Sequence, residues 1–203
     1  MLPVIGIDRL RLSSDGIGIR TLIGTHGCPL RCKYCLNPQS WNGTHKPKVY
    51  SPEELLKTVS IDSLYFQSTM GGLTFGGGEP LLYVDAIKEF KNLCPDSWNF
   101  TAETSLHVPS TVVQVASHIF DYFIVDIKSL DANVYSAYTK GSLDLVYRNL
   151  LLLKNLIGEK KITVRVPHIP GYVDTNLQQE SVNTLLQLGF ENIDVFNYKI
   201  TDK

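Results

Sequence analysis

Short apolar runs typical of buried strands alternate with amphipathic helical patterns along almost the whole chain, and this alternation constrains the fold more than any other feature. Each run is four to seven residues long and mostly apolar, as expected for strands covered on both faces of a parallel sheet. The predicted strands are Thr21–Thr25, Leu73–Gly76, Asn99–Glu103, Tyr122–Ile127, Ile162–His168 and Asp194–Tyr198. The predicted helices are one that starts at Ser51 and Pro52, and five at Val84–Leu93, Ser110–Ile119, Asn133–Tyr138, Leu143–Leu156 and Asn176–Leu188.

Six strand–helix alternations with short connections predict parallel βαβ units with right-handed crossovers. A closed TIM barrel needs eight such units and about 250 residues, more than this chain of 203 residues provides. We therefore expect an α/β fold, a partial, open (β/α)6 TIM-type barrel with parallel strands, with a doubly wound sheet as the alternative. Because no linker, repeat or low-complexity stretch interrupts the pattern, we expect residues 1–203 to form a single domain.

The charged residues exclude several classes of function. The chain carries 19 Lys and Arg against 20 Asp and Glu, a net charge of −1, which argues against nucleic-acid binding and against a polybasic membrane patch. This even balance gives no hint of where a partner would dock. No apolar run is long enough to span a membrane, and charged residues interrupt the N-terminal segment where a signal peptide would be apolar. Four cysteines are too few for a disulfide scaffold, so we expect a cytoplasmic protein.

Polar or glycine-rich segments follow five of the predicted strands. In parallel α/β folds ligands bind at the carboxyl ends of the strands, so these segments are candidates for one shared site. They are the cysteine-containing loop 26–38 after the first strand, Gly76–Pro80 after the second, Glu103–Thr104 after the third, Asp126 with Lys128 at the fourth and His168–Gly171 after the fifth.

The first of these segments contains three of the four cysteines in a C-x3-C-x2-C pattern, formed by Cys28, Cys32 and Cys35. Two metal sites fit the pattern. One is a zinc site with His26 or His45 as fourth ligand, although structural zinc sites more often combine two C-x2-C pairs and this chain has no second pair. The other is an iron–sulfur cluster, in which three local thiolates would leave one iron open to an exogenous ligand. The iron–sulfur cluster explains the number of cysteines better, and Cys94 is expected to be an ordinary semi-buried thiol.

The cysteine pattern, with aromatic Tyr34 before its third cysteine, resembles the signature of radical S-adenosylmethionine (radical SAM) enzymes. The resemblance implies that Cys28, Cys32 and Cys35 hold a 4Fe–4S cluster whose unique iron binds S-adenosylmethionine. Reduction of the cluster then cleaves this cofactor to a 5′-deoxyadenosyl radical, which abstracts a hydrogen atom. The fold associated with the family is a partial (β/α)6 barrel, in agreement with the strand count.

Further blocks resemble the glycyl-radical-enzyme activases, the branch of the family that contains the pyruvate formate-lyase activator. They are Asp15–Arg20, Gly76–Pro80, Glu103–Thr104, Val125–Lys128 and Arg165–Gly171. The resemblance implies a partner glycyl radical enzyme, from whose backbone glycine hydrogen is abstracted, and a flavodoxin- or ferredoxin-type reductant. The chain has no extra cysteines for an auxiliary cluster domain. The alternatives are a radical SAM enzyme that modifies a peptide or small metabolite, and a non-catalytic zinc or iron–sulfur binding module.

The same resemblance assigns residues to the cofactor, and it assigns no side chain as a catalytic acid or base. It places Tyr34 and Leu36 against the adenine, Gly77, Gly78 and Glu79 beside the methionine end, and Glu103 with Thr104 near a monovalent-cation site. It adds Asp126 and Lys128 at the fourth strand and Lys199, which stands where activases have histidine, as further cofactor contacts. Structural alternatives are a simple turn for the glycines, a helix cap for Glu103–Thr104 and a structural ion pair for Asp126 and Lys128.

Overall fold

One open sheet organises the molecule. The computed structural model describes residues 1–12, 14–198 and 200, so the predicted contact of Lys199 lies outside the described residues. The strands are β1 (Leu2–Leu12), β2 (Ile19–Thr25), β3 (Lys48–Tyr50), β4 (Gly72–Gly77), β5 (Asn99–Thr104), β6 (Tyr122–Asp126), β7 (Ile162–His168) and β8 (Ile193–Asn197). The α-helices are α1 (Pro52–Val59), α2 (Ser63–Thr69), α3 (Val84–Lys91), α4 (Ser110–Ala116), α5 (Ala132–Thr139), α6 (Leu143–Ile157) and α7 (Thr175–Gln187).

The strand order is β3-β1-β2-β4-β5-β6-β7-β8, and the six strands from β2 to β8 in this order are parallel. The edge strands β3 and β8 are not paired with each other, so the sheet does not close into a full barrel. This confirms the predicted partial, open barrel. Two antiparallel strands, β1 and β3, extend the sheet beyond β2 and were not predicted. The charged residues Asp8, Arg9 and Arg11 interrupt the apolar pattern of β1, and β3 has only three residues.

Side-chain and backbone hydrogen bonds at Ser51 fix the start of helix α1. At α1 the Ser51 hydroxyl accepts from the Glu54 backbone N–H at 3.2 Å, and the Glu54 carboxylate accepts from the Ser51 N–H at 2.9 Å. This reciprocal capping box, with Pro52 at the first helical position, confirms the predicted start. Helix α2 was not predicted, because its seven residues are too short and too polar to show an apolar period.

The apolar core lies between the sheet and its covering helices. Phe75, Phe100 and Phe90 are fully or almost fully buried there, and the Phe75 and Phe100 rings stack with centroids 5.6 Å apart. Side chains alternate along a strand, so the strand residues directly before and after Phe75 and Phe100 face the opposite, concave side of the sheet. Arg20 is buried near the amino ends of the strands, where it donates to the Thr101 hydroxyl at 2.8 Å. No helix within the described residues is long and apolar enough to cross a membrane.

Candidate functional site

A cavity of about 340 Å³ lies on the concave side of the sheet and reaches the carboxyl ends of its strands. It brings together nearly all the predicted site residues, although they are spread over more than 100 positions of the chain. Its lining includes Cys28, Cys32, Cys35, Leu36, Gly77, Gly78, Glu79, Glu103, Thr104, Asp126 and Lys128. Tyr34 is the one predicted residue among those described that does not line this cavity.

The loop that carries the cysteines, residues 26–38, is fixed by backbone hydrogen bonds to the end of α5. The Arg31 N–H donates to the Thr139 carbonyl at 2.8 Å, and the Lys33 N–H donates to the Tyr138 carbonyl at 3.0 Å. The carbonyls at the end of a helix have no partner within the helix, so they are available to hold such a loop. A second attachment lies at the start of the loop, where the Glu79 N–H donates to the Gly27 carbonyl at 2.8 Å. Inside the loop, the Arg31 guanidinium donates to the Cys28 carbonyl at 2.6 Å. The cysteines therefore sit on a loop whose backbone is held from two sides.

The three thiols of this loop form no disulfide, and all three face the same cavity. Desolvation raises the pKa of the Cys28 thiol to about 12 and that of Cys32 to about 11, so both are protonated at neutral pH in the absence of a cation. Nearby thiolates oppose one another's ionisation, which a bound cationic group would reverse. Three convergent, unpaired sulfur ligands are the donor set that iron–sulfur clusters use.

A single-ion site is a poorer fit. Within the described ranges, no group of three or more His, Cys, Asp or Glu side chains is arranged to hold a metal ion. The zinc alternative with His26 or His45 as fourth ligand therefore receives no support from the geometry. A cluster differs, because its thiolates bind separate irons and need not surround one point.

The glycines after β4 form a cradle that a side chain would fill. Gly77 has a φ of +80°, a conformation that glycine adopts without strain. At Gly78 an added Cβ would lie 2.7 Å from the Thr25 carbonyl and closer still to the Gly27 carbonyl, well inside van der Waals contact. The Gly78 N–H also donates to Thr25, at 3.0 Å. This segment is thus more than a simple turn, because its backbone packs directly on the start of the cysteine loop.

Glu79 connects the ends of β4 and β5. Its buried carboxylate accepts hydrogen bonds from the Thr104 hydroxyl at 2.6 Å, from the Ser105 hydroxyl at 2.7 Å and backbone N–H at 2.9 Å, and from the Leu81 N–H at 3.2 Å. Burial raises the pKa of Glu79, and these donors act in the opposite direction. The side chain is engaged by protein groups, so its predicted role beside the methionine end remains a prediction while its role in holding the site together is visible. Thr104 belongs to the same bonds and does not cap α4.

Four charged side chains on β5, β6, β7 and the segment after β6 form a continuous chain along the cavity wall. Lys128 Nζ lies 3.1 Å from Asp126 Oδ2, the Arg165 Nε donates to Asp126 Oδ1 at 2.8 Å, and Arg165 Nη1 lies 3.2 Å from Glu103 Oε1. The structural ion pair between Asp126 and Lys128, the expected alternative to a cofactor role, is present, and both side chains also face the cavity. An ion pair at the mouth of a cavity can still exchange its partner for a zwitterionic ligand.

Burial and neighbouring charges give the two carboxylates of this row of charges, Asp126 and Glu103, very different pKa values. Burial alone would raise the pKa of Asp126, but Lys128 and Arg165 lower it to about 2. For Glu103, burial dominates and the nearby Asp126 and Asp15 add to it, so its pKa rises to about 7 despite the opposing effect of Arg165. Asp126 is therefore ionised at every physiological pH, whereas Glu103 changes its charge near neutrality.

The two residues beside Cys35 occupy different surroundings. Leu36 lines the main cavity and is half exposed. The Tyr34 ring instead packs against Tyr138 and Tyr172, with centroids 6.1 and 6.0 Å away, and its carbonyl accepts from the Tyr198 hydroxyl at 2.5 Å. Tyr34 lines a second cavity of about 300 Å³ on the other side of the loop. The predicted contact of Leu36 and Tyr34 with adenine stays a prediction.

Sequence reasoning missed several residues of the site. Arg165 was expected at the end of its strand and given no partner, but it lies in the middle of β7 and bridges two of the predicted carboxylates. Ser105 holds Glu79, and Tyr198 and Phe196 of the last strand segment line the main cavity. A charged residue inside an otherwise apolar strand, as Arg165 is, was the available signal.

Comparison with known proteins gives one family. The model of the Radical SAM superfamily matches residues 22–179. Among curated relatives, the chain is 28% identical over 229 positions to the (2S)-3-sulfopropanediol dehydratase activating enzyme of Klebsiella oxytoca, covering 82% of this chain and 71% of that protein. It is 37% identical over 126 positions to the pyruvate formate-lyase-activating enzyme of Clostridium pasteurianum, covering 62% of this chain and 52% of the relative.

Solved structures agree in fold. The Streptococcus suis protein SuiB, bound to its precursor peptide SuiA, superposes with a TM-score of 0.64 over 90% of this chain and 41% of SuiB, at 14% identity. QueE from Escherichia coli gives a TM-score of 0.59 over 98% of this chain and 84% of QueE, also at 14% identity. At these identities the structures support the architecture alone.

Proposed function

The chain belongs to the radical SAM superfamily, and we propose that within this family it is an activating enzyme that abstracts hydrogen from a backbone glycine of a partner glycyl radical enzyme. Enzymes of the superfamily use a 4Fe–4S cluster and S-adenosylmethionine. The curated relatives support the narrower proposal, because those quoted above are named as activating enzymes of a dehydratase and of a formate-lyase.

The observation that carries the proposal is the convergence of three unpaired thiols, a glycine cradle and a charged pair on one cavity. Cys28, Cys32 and Cys35 would hold the cluster through three thiolates and leave one iron for the amino and carboxylate groups of S-adenosylmethionine. When bound, the reduced cluster and S-adenosylmethionine together supply the radical that abstracts hydrogen.

The chain's own residues would bind and orient the cofactor. The backbone at Gly77 and Gly78 approaches closely because no side chain intervenes, and its carbonyls can accept from an ammonium group. Asp126 and Lys128 offer one charge of each sign to a zwitterion or a ribose. The buried wall excludes water from a reactive species, and no acid or base is required.

We also propose that a flavodoxin- or ferredoxin-type protein is the reductant, and that residues 1–203 form a single radical SAM core domain. All four cysteines are unpaired, which supports a reducing, cytoplasmic location.

The test is activation of a partner protein. The chain is reconstituted anaerobically with iron and sulfide, reduced, and mixed with S-adenosylmethionine and a purified glycyl radical enzyme of the formate-lyase, dehydratase or decarboxylase type. We expect a glycyl doublet by EPR on the partner together with 5′-deoxyadenosine, and loss of both in Cys32→Ala. Cys94→Ala is the matched control, since Cys94 packs against the apolar core between α3 and β5 and lines neither cavity, so both products should be unchanged.

Two outcomes would overturn the assignment. Formation of 5′-deoxyadenosine that requires a peptide or small metabolite, with no glycyl doublet on any partner class, would indicate a different radical SAM reaction. A colourless protein that holds zinc and never cleaves the cofactor would indicate a binding module.

A further inference from the structure

Positive charge is concentrated around the cysteine loop, although the whole chain is nearly neutral. Residues 16–52 contain five Lys and Arg and no Asp or Glu, so the rest of the chain carries a net charge of −6. The near-neutral total charge gave no indication of a docking surface, because it hides this separation of charge along the chain. Four of the five cations are exposed, namely Arg31, Lys33, Lys46 and Lys48, and we call them the basic face.

The basic face is not neutralised by neighbours. None of its four cations forms an ion pair with a residue in the described part of the chain. Arg31 stacks on the Trp41 ring, 4.8 Å from the centroid, and Lys48 lies over the Tyr50 ring at 4.4 Å. These contacts hold the side chains against aromatic surface and leave their charges available to a partner.

Two members of the basic face lie at a second cavity on the outer side of the cysteine loop, Lys33 in its lining and Arg31 on the ring of Trp41, which also lines it. That cavity, of about 300 Å³, is lined by Lys33 and Trp41 and by Cys32 and Cys35, which also line the main cavity. The loop thus separates the two cavities, and two of its cysteines are reached from both. Among the residues that the structure describes, no acidic side chain lines the outer cavity.

The pairing of strands β3, β1 and β2 places Lys48 at the end of the molecule that carries the cysteine loop. Val4 of β1 pairs with Lys48 on one side and with Thr25 on the other, and Thr25 ends the strand that leads into the cysteine loop. Two strand spacings, about 10 Å, therefore separate Lys48 from the start of the loop in the plane of the sheet.

We propose that the basic face is the docking surface of an acidic electron-transfer protein that reduces the cluster from the outer side of the loop. Electron transfer weakens steeply with distance, so a donor must approach the thiolate ligands, and the outer cavity allows this without entering the main cavity. The donor loses one electron and the cluster gains one, with no bond made or broken. This inference rests on the proposed function for the presence of the cluster.

Charge complementarity favours this partner over the glycyl radical enzyme. Electron-transfer complexes are small and transient, and opposite charges raise their rate of association by ten-fold to a thousand-fold at low salt. The substrate protein must instead reach the main cavity, where the cofactor-binding residues lie.

The test compares charge reversals at two ends of the molecule in the reconstituted holoenzyme. Lys46→Glu/Lys48→Glu reverses two charges of the basic face at positions that do not adjoin a cysteine. Lys160→Glu/Lys161→Glu is the matched control, since both lysines are exposed at the amino end of β7, opposite the cysteine loop. Affinity for a flavodoxin of net negative charge is measured by calorimetry at rising salt, and reduction of the cluster by the same flavodoxin is followed by stopped-flow absorbance.

We expect the basic-face variant to bind the flavodoxin at least about ten-fold more weakly at low salt and to lose most of the salt dependence. Reduction by flavodoxin should slow by a similar factor, while reduction by photoreduced deazaflavin, a small donor, stays at the wild-type rate. Lys33→Glu should act in the same direction as the double variant. The control should behave as the wild type.

Equal effects of the two double variants, or no effect of either, would overturn the docking surface. Unchanged flavodoxin binding with a reduced yield of glycyl radical would also overturn it, and would assign the face to the substrate protein. Failure of the proposed function is distinguishable, because a protein without a cluster would show no absorbance change with either donor.

Discussion

The charge state of Glu103 offers a quantitative test of the charged chain in the cavity wall. Burial, Asp126 and Asp15 raise the pKa of Glu103 from its ordinary value of 4.5 to about 7, against the opposing effect of Arg165. The folded chain therefore binds this proton more tightly than the unfolded chain. Below pH 4.5 the carboxyl is protonated in both states. As the pH rises from 4.5 to 7, the unfolded chain loses this proton before the folded chain does, so the free energy of unfolding falls, and above pH 7 it falls no further on account of Glu103.

The magnitude follows from the two pKa values. Because Glu103 ionises more readily in the unfolded chain, its titration lowers the free energy of unfolding by about 1 kcal/mol at pH 5.5 and about 3 kcal/mol at pH 8. Glu103→Gln keeps an amide oxygen that can accept from Arg165 and removes the titration. Its free energy of unfolding relative to the wild type should therefore rise by about 2 kcal/mol between pH 5.5 and pH 8.

The assay is urea unfolding of the metal-free proteins at both pH values, with a thiol reductant present. Taking the difference between variant and wild type cancels the titration of all other groups that the substitution does not disturb. A difference in stability that does not change with pH would refute the reasoning, because it would mean that Glu103 has an ordinary pKa in the folded protein.

Three other substitutions give direct tests. Gly78→Ala should displace the cysteine loop, because its Cβ would meet the Thr25 carbonyl at 2.7 Å, and we expect iron content after reconstitution to fall several-fold while the far-UV spectrum is retained; full iron incorporation would contradict this. Glu79→Ala leaves four donors without their acceptor and should lower the free energy of unfolding by at least about 2 kcal/mol in denaturant titrations, and a loss near zero would show that water replaces the carboxylate. Tyr135→Phe removes a buried hydroxyl that has no hydrogen-bond partner among the described residues, so the metal-free protein should gain about 1 kcal/mol in the same titration; a loss would mean that the hydroxyl is bonded.

The parallel part of the sheet could be predicted from the sequence because its strands are short apolar runs, and β2, β4, β5 and β6 are mostly buried on both faces. The strand Ile162–His168 was predicted with its observed bounds, and the others differ by one or two residues at their ends. Strand β1 could not be predicted, since it is half exposed and its exposed positions include Asp8 and Arg9. Its pairing with β3, such as Leu2 with Tyr50, depends on contacts distant in the chain, which no local pattern records.

The candidate site could be predicted as a set of residues but not as a set of contacts. The strand-end rule placed Asp126 and Glu103 at one edge of the sheet, and the cavity contains both. Their bridge by Arg165 depends on register, since Asp126 lies directly opposite Arg165 on the neighbouring strand. Register is set by packing across the whole sheet, so a single sequence does not reveal it. For the same reason the separate surroundings of Tyr34 were not foreseen.

The central claim is that Cys28, Cys32 and Cys35 hold a cluster with one iron open to S-adenosylmethionine. The most direct measurement is the EPR spectrum of the reduced, reconstituted protein with and without that cofactor, for the wild type and for Cys32→Ala. We expect a 4Fe–4S signal that changes when S-adenosylmethionine binds, and no such signal in the variant. A cluster signal that is indifferent to S-adenosylmethionine, or one that survives Cys32→Ala, would contradict this assignment of the three cysteines.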